Sequence, residues 1–235
     1  MMLLRLAGLA LAALLLAACA GAGGTGGKAS LWVTRDRGSR VLLLRNVEAG
    51  QTALQALETA TEVETRYGGR FVQSIDGVEG SASARRDWFY FVNGIEADRG
   101  AAEYKLRPGD VEWWDYRSWA VRMQEPVVVG AFPEPFVHGY DGDRRPAAVR
   151  YADAALVSGA RAIGRLIGAA SVARVGRPVP RSANLFILRA GGPRAVAGPR
   201  FSGYEAGDPV SFVFAGDAAR LARDPTMIRR RYRWP

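Results

Sequence analysis

The stretch Trp88-Phe89-Tyr90-Phe91-Val92-Asn93-Gly94 decides how this chain folds. Five β-favouring residues run into Asn-Gly, the dipeptide that turns a tight hairpin because both positions tolerate positive φ. Successive side chains along a strand point to opposite faces, so Trp88, Tyr90 and Val92 stand on one side and Phe89 and Phe91 on the other. One of these sets must face a core.

On either side of this strand the pattern repeats. Leu31 to Arg35 and Val41 to Val47 are β-rich runs joined by Asp36-Arg37-Gly38-Ser39, which reads as a hairpin. A short helix follows: Thr52 can cap it while Gln55, three residues on, reaches back, and Ala53, Ala56, Leu57 and Ala60 recur at helical spacing on one face. Further strands are expected at Val63–Tyr67, Arg70–Ile75 and Val111–Tyr116, with turns at Asp76-Gly77 and Pro108-Gly109. Two strands, one helix and more strands make an α+β layout in which a helix lies across a mixed, β-grasp-like sheet.

Four segments carry a family likeness. These are Gly50-Gln51-Thr52-Ala53-Leu54-Gln55-Ala56-Leu57, Ser74-Ile75-Asp76-Gly77-Val78, the aromatic strand itself, and Tyr104-Lys105-Leu106-Arg107-Pro108-Gly109-Asp110-Val111-Glu112-Trp113. In this order they resemble the C-terminal domain of the cobalamin carriers transcobalamin and intrinsic factor, and bacterial surface-protein domains of unknown function grouped with them. The resemblance covers residues 30–118. It implies cobalamin or another corrinoid as ligand, and vitamin transporter components as partners. In the carriers an all-helical domain supplies the other face of the site, and this chain has no large helical region.

The aromatic side chains exceed what one core face absorbs. If Phe89 and Phe91 face the helix, Trp88 and Tyr90 lie on the opposite face, and Trp114 with Tyr116 forms a second pair at strand spacing. One short helix cannot cover both faces. Trp88, Tyr90, Trp114 and Tyr116 are therefore the candidate ligand surface, for a flat ring compound, a glycan or a second domain.

The N-terminus reads as an export signal. Arg5 precedes an uncharged apolar run from Leu6 to Ala18, too short to span a bilayer but right for a signal peptide. It ends in Leu16-Ala17-Ala18-Cys19, which resembles the bacterial lipobox. Residues 1–18 are then the signal peptide, Cys19 the lipidated first residue of the mature chain, and residues 19–30 a Gly-rich tether. The expected location is the extracytoplasmic face of the cell membrane. Gly21 to Ser30 fails as a phosphate-binding loop, because Ala29 follows Lys28 and no strand precedes it.

Charge divides the chain near residue 126. The 235 residues carry a net charge of +9, with 15 basic against 15 acidic residues up to Glu125 and 17 against 8 from Pro126 on. The expected domains are residues 31–125, the transcobalamin-like part, and 126–235, a basic α/β part of no assigned family. The latter should hold strands at Val127–Phe132, Pro146–Tyr151, Ser171–Val175, Asn184–Arg189 and Val210–Phe214. Helices are expected from the Asp153 cap to Ile167 and from Asp217 to Arg223. Its tail, Arg229-Arg230-Arg231-Tyr232-Arg233-Trp234-Pro235, reads as a solvated end, or else as a patch for anionic lipid or wall polymer through Arg229, Arg230, Arg231 and Arg233.

One cysteine and one histidine exclude zinc sites and disulfide frameworks. Asp141-Gly142-Asp143 lacks the later ligands of a calcium loop, so no metal is expected. His138 and Asp141 would make a base and its orienter, but no serine sits in a nucleophile elbow. The sequence reads as a non-enzymatic, lipid-anchored binding protein with no nucleic-acid partner. The competing reading is a surface interaction module for a protein or glycan.

Overall fold

The computed structural model describes residues 26–235, so Cys19 and the signal-peptide reading lie outside the described residues. The fold is α+β, built on two five-stranded sheets and a smaller three-stranded one.

The first sheet starts with the hairpin β1 (Lys28–Arg35) and β2 (Arg40–Glu48). Its turn takes positive φ at Asp36, Arg37 and Gly38. Helix α1 (Ala53–Glu58) follows, and its capping box is complete: the Gln55 amide donates to the Thr52 hydroxyl, and the Thr52 amide to the Gln55 side chain. Ala53, Leu54, Ala56 and Leu57 are buried against the sheet. Strands β3 (Val63–Arg66), β4 (Phe71–Ile75) and β5 (Val78–Glu79) form the three-stranded sheet. The chain returns through β6 (Arg86–Val92), the short β7 (Ile95–Glu96) and β8 (Val111–Ser118). Strand β8 runs parallel to β1 and antiparallel to β6, giving the order β2-β1-β8-β6-β7. A first strand parallel to the last, with the helix between, is the β-grasp arrangement.

Asn93 shows why the turn after β6 is Asn-Gly. It sits at φ 53°, its amide side chain donates to Asp110 at 2.7 Å and to the Gly139 carbonyl at 2.8 Å, and its side-chain oxygen accepts from the Val111 amide at 2.8 Å. One buried residue therefore turns the strand and ties it to two other segments.

The second sheet contains β9 (Ala147–Tyr151), β10 (Ser171–Arg174), β11 (Asn184–Arg189), β12 (Arg194–Pro199) and β13 (Val210–Ala215). Its order is β10-β9-β11-β13-β12, parallel except for the β12–β13 pair. Asp153 caps a 3-10 turn that leads into α2 (Val157–Leu166), and Asp217 caps α3 (Ala218–Arg223). Both helices join the sheet in one core with Val149, Phe186, Phe212 and Phe214.

Val127–Phe132 is not a strand. Val127 makes one bridge to Ile95, and Val129–Ala131 then winds into a 3-10 turn. The run is apolar because it is buried on two sides, with Val128 packed on the first sheet and Val129 and Phe132 in the second core. The tail is not a free end either. Trp234 exchanges backbone hydrogen bonds with Ala195 of β12 and stacks on Phe214 at 5.9 Å. Tyr232, only 5% exposed, enters the first sheet.

Candidate functional site

The two faces of the first sheet are assigned the other way round from the sequence expectation. Trp88 and Tyr116 lie opposite each other, as do Tyr90 and Trp114, and all four face α1. They form a ladder, with Trp88–Tyr116 centroids at 5.3 Å and Tyr90 stacked on Trp114 at 4.8 Å. Trp88, Trp114 and Tyr116 are 6%, 3% and 6% exposed.

Their polar ends fasten backbone. Trp88 donates to the Val78 carbonyl, Tyr116 to the Glu79 carbonyl, Tyr90 to the Arg99 carbonyl, and Trp114 to the Glu112 carboxylate at 2.6 Å. The face is closed by the helix, by β4 and β5, and by the segment that includes Ala101, Tyr104 and Leu106. The expectation of a ligand surface on Trp88, Tyr90, Trp114 and Tyr116 counted one short helix as the whole cover, and the structure supplies two further layers.

The opposite face carries Trp32, Phe91 and Trp113, with Phe89 and Val111 beside them. Val128 and Tyr232 cover its middle. Tyr232 meets Phe91 at 5.3 Å and Trp113 at 5.5 Å, edge to face. Beneath them a polar chain is satisfied internally: Trp113 donates to Thr34, Thr34 donates to Asp115, and Asp115 also accepts from the Arg37 and Gly38 amides at 3.0 Å. Burial pushes the Asp115 carboxyl above its ordinary range. The Arg117 guanidinium lies 3.6 Å over the Phe89 ring.

The cover stops at Trp32. Beside it opens a cleft of about 350 Å³, lined among others by Ser30, Trp32, Asn46, Phe132, Arg229 and Arg230. The two guanidiniums stand 5.7 and 6.0 Å from the Trp32 ring. Neither takes part in an ion pair among the described residues. Burial, with Arg229 and Arg231 close by, pushes the Arg230 pKa down. Glu134 on the rim is engaged by His138, Nδ1 to Oε1 at 2.6 Å, and its burial raises its pKa.

His138 is therefore oriented by Glu134 and not by Asp141, which pairs instead with Arg99 and Arg107. An indole edge, a hydroxyl, an amide and two unpaired guanidiniums are the chemistry of binding an anion-bearing apolar ligand. Trp32 escaped the sequence reading because it sits in β1 as one apolar residue among several. The basic tail was noticed, but its location depends on where Tyr232 and Trp234 lodge.

Residues 50–118 match the model of a domain of unknown function, DUF4430. No curated protein matches the chain. Among solved structures, haptocorrin in complex with Cbi is similar at 20% identity and a TM-score of 0.33, over 40% of this chain and 26% of that one. A protein from Ruminococcus gnavus assigned as metal-binding is similar at 15% identity and a TM-score of 0.33, over 39% of this chain and 97% of its own length. This chain thus spans about a quarter of haptocorrin. At a TM-score of 0.33 neither likeness carries an argument about this chain.

Proposed function

We propose that this protein is a non-enzymatic, lipid-anchored extracytoplasmic binding protein whose ligand enters the cleft beside Trp32. What carries the reading is Arg230, partly desolvated beside the Trp32 indole, with the exposed Arg229 guanidinium next to it and neither in an ion pair among the described residues. Buried cations without counter-charge are costly, and an incoming anion offsets that cost. At about 350 Å³ the cleft lies at the low end for small-molecule sites, so it seats one edge or side arm of a larger flat ring. A corrinoid bearing a phosphodiester fits this description, and its uptake would require a transporter as partner. Cys19 is the proposed anchor, and among the described residues no helix is long and apolar enough to cross a membrane.

The test is a fluorescence titration of the purified chain with cobalamin, which carries a phosphodiester, and cobinamide, which does not. Saturable tryptophan quenching is expected, tighter for cobalamin. The R229Q/R230Q double variant should weaken binding by about tenfold or more, as expected for losing two charge-assisted contacts. No saturable quenching by either compound removes the corrinoid reading and leaves the surface interaction module. For the anchor, the parent should incorporate labelled fatty acid and Cys19→Ala should not.

A further inference from the structure

The second sheet has a face that α2 and α3 do not cover. Residues directly opposite on neighbouring strands share a face, and the register lines up Ala173, Arg150, Ile187, Val213 and Val196 across all five strands. In the next row Arg189 and Arg194 flank Ala215. Five strands at about 4.8 Å spacing make this face roughly 20 Å wide. Ile187, Val213 and Val196 are half-buried, so an apolar strip lies open at its centre.

Arginine supplies the rest of this surface. The segment after β10 crosses the face and is held by Arg150, whose guanidinium donates to the Arg177 carbonyl at 3.1 Å and the Pro178 carbonyl at 2.5 Å. Arg200 donates to the Pro180 carbonyl at 2.8 Å, and Arg181 and Arg200 both lie over the Phe201 ring, at 4.5 and 4.9 Å. From Ala154 to Tyr204 the sequence has no carboxylate, and of its eight arginines Arg177, Arg181, Arg189, Arg194 and Arg200 belong to this side, while Arg161 and Arg165 lie on α2 and Arg174 alternates to the helix side of β10. None of Arg150, Arg177, Arg181, Arg189, Arg194 and Arg200 is in an ion pair among the described residues. Elsewhere in the same half, Asp141 and Asp208 do pair with arginines. Desolvation and the neighbouring cations hold Arg150 and Arg200 below their ordinary pKa.

We propose that this open face docks on an anionic phospholipid surface, with Arg177, Arg181, Arg189 and Arg194 meeting headgroup phosphates around the strip of Ile187, Val213 and Val196. Charge complementarity selects the occupant: a broad face with spread positive charge and a modest apolar centre matches the headgroup layer of an anionic bilayer. The surface is distinct from the cleft beside Trp32 and does not depend on acylation of Cys19.

The experiment floats residues 26–235, which hold every element described and no acylated cysteine, with vesicles of phosphatidylglycerol in phosphatidylcholine or of phosphatidylcholine alone. Binding is expected to the anionic vesicles only, falling as salt is raised. The R177S/R181S/R189S/R194S variant should bind about tenfold more weakly or worse, whereas R231S/R233S, in the tail, should stay within about twofold of the parent. Thermal unfolding of both variants reports whether they fold. Equal binding to neutral vesicles, undiminished binding by a folded quadruple variant, or loss of binding in the tail variant alone would each overturn the proposal. No small ligand enters this assay, so its failure leaves the cleft reading untouched.

Discussion

Glu112 is fully buried in β8, with one carboxylate oxygen accepting from Trp114 and the other without a partner. Burial pushes its pKa up to about 8, against an ordinary value of 4.5, so the folded protein holds a proton that the unfolded chain releases. The sign follows from linkage. The native state binds more protons between these two values, so this contribution is complete below about pH 4.5 and is lost as pH rises through 8. Glu112→Gln keeps the shape and removes the titration. It should match the parent near pH 4.5 and be more stable by roughly 3 to 5 kcal/mol above pH 8, read by denaturant unfolding at both pH values. An unchanged difference across that range would show that Glu112 is not buried as a neutral acid. The residue scale is also where the sequence was least legible. Alternation showed that Trp88 and Tyr90 oppose Phe89 and Phe91, but the choice of face rests on layers contributed by distant residues such as Val78 and Tyr104.

At the scale of elements, local chemistry was readable wherever it is self-contained. The Thr52–Gln55 capping box, the Asp217 cap and the Asn93-Gly94 turn are all present where their residue types require them. Strand β12 was not foreseen, because Arg194-Ala-Val-Ala-Gly-Pro lacks a β-branched, alternating pattern and forms only as an edge strand paired to β13. The 3-10 turn at Val129–Ala131 was hidden for another reason. A Cβ on Gly130 would lie 2.2 Å from the Arg231 amide nitrogen, so glycine is there to admit the returning tail, which sequence order does not reveal. Gly130→Ala should therefore push the tail away and cost about 1 to 3 kcal/mol. A thermal midpoint equal to that of the parent would contradict the close approach.

Across the whole molecule the tail joins the two sheets. Residues 229–234 hydrogen-bond to Gly130 and Ala195 and bury Tyr232 among Phe91, Trp113 and Trp32, so the last residues of the chain complete the first sheet's outer face. Tyr232→Ala should cost about 3 to 5 kcal/mol and raise the solvent exposure of Trp113, seen as a red shift in emission. Unaltered emission and stability would show that the tail is not docked. Of the second half's arginines, Arg229 and Arg230 line the cleft and Arg177, Arg181, Arg189 and Arg194 belong to the open face of the second sheet, while Arg161, Arg165, Arg220 and Arg223 lie on α2 and α3.

The proposed ligand lies on the helix-distal side of the first sheet. Hydrogen exchange of the chain with and without cobalamin tests it most directly. Protection is predicted in residues 44–46, 131–134 and 229–230, around Trp32. Protection confined to residues 53–58 and 97–106, on the side of the Trp88–Tyr116 ladder, would contradict it.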